Sequence, residues 1–230
     1  MPVTVQPAGT TTTVRPKRQP KTECRATQVV PLFEKLKAGE PVFIDMEFQD
    51  YKVAGEKQHH RIGRVAIINH AGEVVLDVFP AYRSEPNVKK ILPPRRFGVN
   101  WSDLYFDNGA VPAEKVERWV KEMVKDRTVV VHGGTHDLTA FYIEQDVWAT
   151  STIVDTQWLY SGVAGNSKPS LLDCVESELG LDHFRSGGEH SPVEDAEATR
   201  QLYLRAQSGE RKSDDAKVDE GDSSHYRHGR

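Results

Sequence analysis

The sequence predicts a mixed α/β domain in which three antiparallel strands are followed by parallel strands, with helices on the faces of the sheet. Three apolar, strand-like segments come first, at residues 42–48, 64–69 and 74–79. Beyond them, helical and strand-like segments alternate along the chain, and no internal repeat is present. Strands that follow one another directly and then alternate with helices are typical of a mixed sheet.

The antiparallel part of the sheet is predicted from strand-like segments and one short loop. Residues 42–48 read VFIDMEF and form a first strand that is mostly apolar. Residues 64–69 (RVAIIN) and 74–79 (VVLDVF) are joined by HAGE, a short loop that contains glycine and is typical of a hairpin. The long polar stretch at 49–63, between the first two strands, is expected to be a loop.

The parallel part is predicted from apolar periodicity. Pro112 suits the first turn of a helix, so we expect a helix from there to about Lys125. Its inward stripe consists of Val116, Trp119, Val120, Met123 and Val124. Residues 128–132 (TVVVH) are a continuous apolar run, as expected of a central parallel strand. A helix at about 136–144 and a short strand at 152–155 follow.

The last two helices are marked by their ends. Ser170 begins the first of them, with Asp173 as its partner in a capping box and Gly180 as its stop. The final helix has an equivalent start, with Ser191 as the N-cap, Pro192 as the first helical residue and Glu194 as the capping-box partner.

Composition divides the 230 residues into one domain and two tails. Residues 1–27 are rich in Thr and Pro, and residues 208–230 are densely charged, so both are expected to be disordered. Residues 28–207 form a domain of ordinary size. The net charge of −4 leaves about −7 on this domain, because the first tail is basic and the second nearly neutral. An acidic domain is not the usual surface of a nucleic-acid binder, so such a function needs local patches or bound cations.

Cysteine usage and apolar runs indicate an intracellular protein. Cys24 and Cys174 cannot form a disulfide framework, which favours a reducing compartment. No apolar run approaches the ~18 residues that a membrane span needs, so no membrane partner is expected. The basic stretch PKRQPK at 16–21 is either a weak nuclear address or a solvated tail, which leaves nucleus and cytoplasm open.

Two carboxylates in the first strand pose an electrostatic problem. Residues two apart share a strand face, so Asp45 and Glu47 point the same way, about 6.5 Å apart along the chain. At an effective dielectric near 20, two such charges repel by roughly 2.5 kcal/mol, and burial adds to this cost. A compensating charge is therefore expected beside them.

Two further acids are predicted to join this pair. Asp137 opens the segment after the fourth strand, and Asp195 lies in the first turn of the last helix, on its less charged side. Four inward carboxylates suit hard divalent cations such as Mg²⁺ and Mn²⁺, which prefer oxygen ligands. Two such ions about 3.5–4 Å apart are a known device for displacement at phosphorus. The sequence thus predicts a two-metal site.

These motifs resemble those of the DEDD exonucleases. The first is Ile44-Asp45-Met46-Glu47-Phe48, the second is His132-x₄-Asp137-Leu138, and the third is His190-SPVE-Asp195. The third motif is that of the subgroup in which a histidine lies five residues before the last acid. The resemblance covers residues 41–207, and it is greatest to small single-domain RNA exonucleases that trim ribosomal RNA or act against viral RNA.

The resemblance implies a ribonuclease H-like fold and a mechanism. Two Mg²⁺ or Mn²⁺ ions would be held by Asp45, Glu47, Asp137 and Asp195. His190 would be the general base that takes a proton from the attacking water. The products would be nucleoside 5′-monophosphates, released from the 3′ end of a single-stranded nucleic acid, with RNA favoured over DNA.

Substrate contacts are expected in two places. One basic concentration stands out in the acidic domain, formed by Arg83, Lys89, Lys90, Arg95 and Arg96, and Phe97, Trp101, Tyr105 and Phe106 follow it. Basic side chains and stacking rings are typical of a single-strand groove, although a solvated loop with anchoring aromatics reads equally well. Within this stretch, Arg95 and Arg96 are the predicted contacts. Met46 and Phe48, beside the acids, are the other candidates, and the tails or residues 49–63 could bind a protein partner.

Two alternatives remain open from the sequence. The first is a zinc hydrolase that uses His132, His136 and His190, although His132 ends a strand and so shares no helical face with His136. The second is a binding or scaffolding module that kept the fold and lost turnover. The presence of all five catalytic-type residues argues against the second alternative without excluding it.

Overall fold

The computed structural model describes residues 28–91, 97–186 and 188–212. The predicted tail at 1–27, most of the tail at 208–230, and both Arg95 and Arg96 lie outside these residues. The start of the second predicted tail is packed on the domain: Arg211 donates a hydrogen bond to the carbonyl of Leu159, and the backbone N–H of Lys212 donates to Glu178. Ordered contacts thus continue past the predicted boundary at 207.

The described chain forms one main sheet flanked by helices. Its strands are β1 (Val42–Val53), β2 (Gln58–Asn69), β3 (Val74–Val78), β4 (Pro80–Ala81), β5 (Val88–Ile91), β6 (Val111–Pro112), β7 (Thr128–Val131) and β8 (Thr152–Asp155). Its helices are α1 (Ala113–Val124), α2 (Thr156–Leu159), α3 (Leu171–Cys174) and α4 (Pro192–Ser208). None of the described helices combines the length and the apolar character that a bilayer crossing requires.

The sheet has the predicted mixed topology. The order is β3-β2-β1-β7-β8, with β5 paired to the far end of β1 and with β4 and β6 forming a separate pair. Strands β1, β2 and β3 are antiparallel, whereas β7 pairs in parallel with both β1 and β8. The α/β class, with antiparallel strands followed by parallel ones, is therefore confirmed.

Helices cover both faces of the sheet. Alternation along β1 sends Val42, Ile44 and Met46 into the main core, where they pack with the apolar stripe of α1. Phe43 points to the opposite face and packs with Ala196 of α4. The face toward α4 is also the face on which Asp45 and Glu47 lie, so this interface is where the site forms.

The segment at 49–63 is not a loop, as the sequence analysis expected, but the outer half of a long hairpin. Pairing continues from β1 to β2 as far as Lys52 and Gln58, with a turn over residues 54–57. Residues 52 and 54–59 are exposed, whereas the polar side chains of Gln49 and Arg61 are buried nearer the core. Because polar residues occupy two of its buried positions, the segment shows no apolar alternation, and its sequence resembles a polar loop.

A bulge in this hairpin lies beside the second acid. The register shifts between Glu47 and Phe48, which leaves Gly63 unpaired between Arg64 and Ile62. A Cβ on Gly63 would lie 2.7 Å from the carbonyl carbon of Phe48, so the close approach requires glycine. The extra residue is on β2, and such a bulge bends and twists its strand, here opposite Glu47.

The prediction of a helix at about 136–144 is wrong. Only a single 3₁₀ turn forms, at Asp137–Thr139. The buried carboxylate of Glu117 on α1 accepts the backbone N–H groups of Tyr142, Ile143 and Glu144. These donors would otherwise bond to carbonyls one helical turn back, so the Glu117 carboxylate holds the segment as a loop.

The last two helices begin at the predicted residues, but only one capping box forms. Ser170 and Asp173 exchange side-chain hydrogen bonds as predicted, and the following π-helical turn (Val175–Leu179) ends at Gly180. Helix α4 begins at Pro192, but the side chain of Ser191 makes no cap hydrogen bond. Glu194, its expected partner, instead lines a surface cavity.

Candidate active site

The first pair of acids lies on β1 with the predicted orientation. Asp45 and Glu47 share the strand face of Phe43, which packs against α4. Asp45 is partly buried, and Glu47 is only 3% exposed. Two carboxylates thus enter the interface between the sheet and the last helix.

A glycine turn brings the third acid to this interface. After β7, the backbone N–H groups of Gly133 and Gly134 donate to the carboxylate of Asp155 at 2.8 and 3.2 Å. A Cβ on Gly134 would lie 2.5 Å from a methyl group of Val131, so this turn has no room for a side chain. The turn delivers Asp137, which is 7% exposed and whose Oδ1 has no hydrogen-bond partner among the described residues.

The fourth acid comes from α4. Asp195 lies in the first turn of the helix and is 1% exposed. Its charge acts on Asp45, Glu47 and Asp137, which places all four predicted acids within electrostatic reach of one another.

Burial leaves these acids reluctant to ionise. Burial, with the charge of Asp195 second, raises the pKa of Glu47 from its ordinary 4.5 to about 9. Burial likewise raises the pKa of Asp137 from 3.8 to about 7. Burial and the charges of Asp137 and Asp195 hold the pKa of Asp45 well above its ordinary value. Such shifts are typical of functional sites and indicate a need for nearby positive charge.

His190 completes the cluster. Its Nδ1 lies 3.5 Å from Oε1 of Glu47, and the side chain is 29% exposed. Ligand atoms of Glu47, His190 and Asp195 all lie within 4.8 Å of one another. Within the part of the chain that the structure describes, this is the only such group of three. Carboxylate oxygens, one of them on Asp137 without a hydrogen bond, are donors that suit a hard divalent cation.

A neighbouring turn supports His190. The ring of Phe97 packs edge-on against its imidazole, with ring centroids 5.9 Å apart. Gly98 has φ +63°, and a Cβ there would lie 2.6 Å from the carbonyl oxygen of His190. The turn at 97–98 therefore contacts both the ring and the backbone of the histidine.

Arg185 is the site residue that the sequence did not predict. Its guanidinium donates a hydrogen bond to each carboxylate oxygen of Asp195: Nε lies 3.0 Å from Oδ1, and a terminal nitrogen donates to Oδ2. Its charge opposes the upward pKa shifts of Asp45 and Glu47. No sequence signal marks it, because it is a single arginine in a polar segment without periodicity.

Of the two predicted substrate residues on β1, one is at the rim of the site and one is in the core. Phe48 is partly buried and packs against His60 and His136, at 5.1 and 6.4 Å between ring centroids. His136 is exposed, so these rings border solvent next to Asp137. Met46 is 3% exposed and packs in the main core, so its side chain has no surface for a nucleotide.

The predicted basic and aromatic stretch is only partly described. Arg95 and Arg96 lie outside the described residues. Arg83 lies 3.6 Å from Glu114, and Lys90 donates to the carbonyl oxygen of Tyr82. Tyr105 and Phe106 are more than half exposed, whereas Phe97 packs against His190.

The three histidines of the zinc alternative are not brought together. The ring nitrogens of His132 lie 2.9 Å from Thr156 Oγ1 and 3.1 Å from the carbonyl oxygen of Pro169. The ring of His136 packs against His60 instead. Only His190 joins a cluster of possible ligands, so the described residues do not support a three-histidine zinc site.

Known proteins resemble this chain in sequence. RNA exonuclease 4 of Candida glabrata is 28% identical over 179 residues, which are 74% of this chain and 61% of that protein. RNA exonuclease 4 of Kluyveromyces lactis is 32% identical over 164 residues, 70% of this chain and 52% of that protein. The chain therefore spans about half to three-fifths of the length of these curated relatives. No protein-family model matches it.

Solved structures resemble it in fold. The Pan2 catalytic unit of Neurospora crassa superposes with a TM-score of 0.61 at 18% identity, over 92% of this chain and 34% of that one. The pseudoubiquitin hydrolase and RNA exonuclease module of Saccharomyces cerevisiae Pan2, in complex with AAGGA RNA, gives 0.59 at 20% identity, over 85% and 34%. These structures confirm the predicted mixed α/β fold, and the sequence relatives confirm the predicted resemblance to RNA exonucleases.

Proposed function

We propose that this chain, which resembles RNA exonuclease 4 proteins in sequence and Pan2 nuclease modules in fold, is a metal-dependent 3′→5′ exonuclease that acts on single-stranded RNA. One observation carries the proposal. Asp45 and Glu47 from β1, Asp137 after β7, and Asp195 with His190 at the start of α4 converge on one buried cluster. Residues 28–207 would form the exonuclease domain.

The carboxylates are the proposed ligands of the metal. Asp45, Glu47, Asp137 and Asp195 would hold two divalent cations, Mg²⁺ or Mn²⁺. When bound, such ions lower the pKa of water and neutralise charge that develops at phosphorus. Burial suits the acids to this role, because it keeps their pKa values high until a nearby positive charge stabilises the ionised carboxylates.

His190 is the proposed general base. A ring nitrogen would accept the proton of the water that attacks the terminal phosphodiester. The carboxylate of Glu47, 3.5 Å away, would compensate the positive charge that the ring then acquires. Phe97 and Gly98 would keep the imidazole in place, since they contact its ring and its backbone.

RNA is favoured over DNA because the relatives in sequence are named RNA exonucleases and several Pan2 modules of similar fold are in complex with RNA. The released products would be nucleoside 5′-monophosphates. Phe48 would contact the terminal nucleotide, because its partly buried ring packs against the exposed His136, which precedes Asp137. Arg95 and Arg96 are proposed to bind phosphates farther along the strand.

An intracellular location and a protein partner are further parts of this proposal. Residues 16–21 would act as a nuclear address if they are more than a solvated tail. A fluorescent fusion of the full chain, compared with one carrying Lys17→Ala and Arg18→Ala, separates nucleus from cytoplasm. The hairpin at 49–63 and the tails are the candidate surfaces for a protein partner.

One observation favours a second candidate, a nucleic-acid-binding or scaffolding module without turnover. Arg185 grips both oxygens of Asp195, which a catalytic cation would also need. If that ion pair is permanent, the cluster binds no metal and the fold serves only for binding.

A single experiment separates the two candidates. Single-stranded RNA with a 5′ label is incubated with the full chain and Mn²⁺ or Mg²⁺. The proposal predicts a ladder that shortens from the 3′ end, disappears with EDTA or with Asp195→Asn, and persists with Glu197→Gln. Glu197 is the matched control because it lies on the same helix but pairs with Arg200. DNA of the same sequence, run in parallel, should be degraded more slowly. Absence of a ladder, or equal degradation by Asp195→Asn, would support the silent module.

A further inference from the structure

The ion pair between Arg185 and Asp195 joins a partly exposed cation to a buried acid of the proposed metal site. Asp195 is 1% exposed and the arginine side chain 20%. Each of the two carboxylate oxygens accepts a hydrogen bond from the same guanidinium. This bidentate geometry is the strongest that an arginine and a carboxylate can form.

A cation at this cluster would bind an oxygen of Asp195 that now accepts a hydrogen bond from Arg185. Asp195 offers an oxygen within 4.8 Å of ligand atoms of both Glu47 and His190. A divalent ion bound there must take at least one of the two gripped oxygens, and it repels the guanidinium. Each carboxylate oxygen keeps a second lone pair, but the two positive charges repel each other at this short range, so the ion and the arginine fork compete for Asp195.

The backbone of Arg185 is suited to a residue that changes partner. It lies between Gly180, where the helical segment after α3 ends, and Pro192, where α4 begins. Its φ is +56°, a left-handed conformation that is unfavourable for a residue with a side chain. The ion pair with Asp195 helps to offset the cost of this conformation.

Space for the side chain exists on both sides. Arg185 lines a cavity of about 490 Å³ with Leu181, Phe184 and Gln201. It also lines a cavity of about 390 Å³ that is bordered by Arg64, Gly98 and His190. The second cavity adjoins the proposed general base, where the terminal phosphate of a substrate must approach.

We propose that Arg185 exchanges partners: it holds Asp195 when no divalent cation is bound, and it binds the substrate phosphate once cations have displaced it. The inference rests on the proposed function, because it assumes that Asp195 is a metal ligand. A guanidinium fork matches the oxygens of a phosphate as well as those of a carboxylate. Arg185 thus competes with the metal and contributes to binding of the terminal nucleotide.

Calorimetric titration of the full chain with Mn²⁺ tests the first half of the proposal, that Arg185 competes with the metal for Asp195. Arg185→Gln should bind Mn²⁺ about tenfold to a hundredfold more tightly than the wild type, because the ion no longer displaces a charge-assisted pair. Arg185→Lys, which keeps the charge but loses the fork, should fall between them. The matched control is Arg200→Gln, which removes the same charge from a pair with Glu197 on α4 and should leave Mn²⁺ affinity near that of the wild type.

Titration of the Mn²⁺-saturated protein with adenosine 5′-monophosphate tests the second half of the proposal, that Arg185 binds the substrate phosphate. Arg185→Gln should bind this product about tenfold or more weakly than the wild type and Arg200→Gln. An unchanged nucleotide affinity would overturn the phosphate contact. If Arg185→Gln and Arg200→Gln bind Mn²⁺ equally well, the competition is overturned while the proposed exonuclease stands. If no variant binds Mn²⁺, the metal centre and this inference both fail.

Discussion

Nδ1 of His190 lies 3.5 Å from Oε1 of Glu47, although the two residues come from different, adjacent layers of the fold. Glu47 is carried by β1, in the middle of the sheet, and His190 precedes α4, which packs on that sheet. Contact between Phe43 and Ala196 holds the strand and the helix together. The distance between acid and base is therefore set by the packing of α4 on the sheet.

Replacement of this histidine separates catalysis from metal binding. His190→Gln should lower kcat about 10²- to 10⁴-fold, the usual contribution of a general base. Mn²⁺ affinity, measured by calorimetry, should stay close to that of the wild type, because the four carboxylates remain. A large fall in Mn²⁺ affinity would show instead that the imidazole is a metal ligand.

The metal-free protein should lose stability as pH rises. The pKa of Asp137 is raised to about 7 and that of Glu47 to about 9, against about 4 in an unfolded chain. An acid whose pKa is higher in the folded protein than in the unfolded chain stabilises the fold fully at pH values below its unfolded-state pKa. This contribution is lost as the pH rises through its folded-state pKa. In EDTA, the midpoint temperature of thermal unfolding should therefore decrease as the pH is raised from about 4 to about 9.

Two comparisons accompany this measurement. Added Mg²⁺ should raise the midpoint more at pH 9 than at pH 5, because bound cations compensate the ionised acids. Glu47→Gln should remove the upper part of the decline, since it deletes the group that ionises near pH 9. A midpoint that stays constant in EDTA would contradict the raised pKa values.

Gly98 should matter for activity more than its loop position suggests. Gly98→Ala places a methyl group 2.6 Å from the carbonyl oxygen of His190 and should displace that residue. Because a displacement of about 1 Å can cost roughly 10²-fold in rate, kcat should fall more than about tenfold with little change in KM. Gly209→Ala is the control: its φ of +75° is similar, but no atom lies within 4 Å. Both variants should lose about 1 kcal/mol of stability, so equal activities would contradict the role of Gly98.

Glu117 should be a major determinant of stability. Its buried carboxylate accepts the hydroxyl of Tyr82 and three backbone N–H groups of the loop that follows Asp137. Glu117→Ala leaves these donors unsatisfied and should lower the free energy of unfolding by about 3–5 kcal/mol. Glu114→Ala, on the same helix but with a side chain 41% exposed, should cost less than about 1 kcal/mol. Urea unfolding of both variants measures the difference, and a loss below about 1 kcal/mol for Glu117→Ala would contradict it.

The acids and His190 could be predicted because local signals orient the elements that carry them. Alternation in β1 places Asp45 and Glu47 on one face, and Pro192 begins the helix that carries Asp195. These signals depend on a few neighbouring residues, so they can be read without knowledge of the tertiary structure.

Features that depend on distant contacts could not be predicted. The loop at 140–144 looks helical in sequence, but its backbone N–H groups donate to the carboxylate of Glu117, which lies far back in the chain. The bidentate ion pair between Arg185 and Asp195 forms with Arg185 in a left-handed backbone conformation. The sequence gives no sign of this conformation, because the residue is neither a glycine nor an asparagine. The outer half of the hairpin buries the polar side chains of Gln49 and Arg61, so it lacks the apolar alternation that reveals a strand.

The position of the first cleavage tests the central claim most directly. A single-stranded RNA labelled in its 3′-terminal nucleotide is mixed with the full chain and Mn²⁺, and the products of the first turnover are separated. The account predicts that all released label is a nucleoside 5′-monophosphate, and that Asp195→Asn or EDTA abolishes the release. Label that first emerges in oligonucleotides, or that Asp195→Asn releases at the wild-type rate, would contradict a 3′→5′ exonuclease at this site.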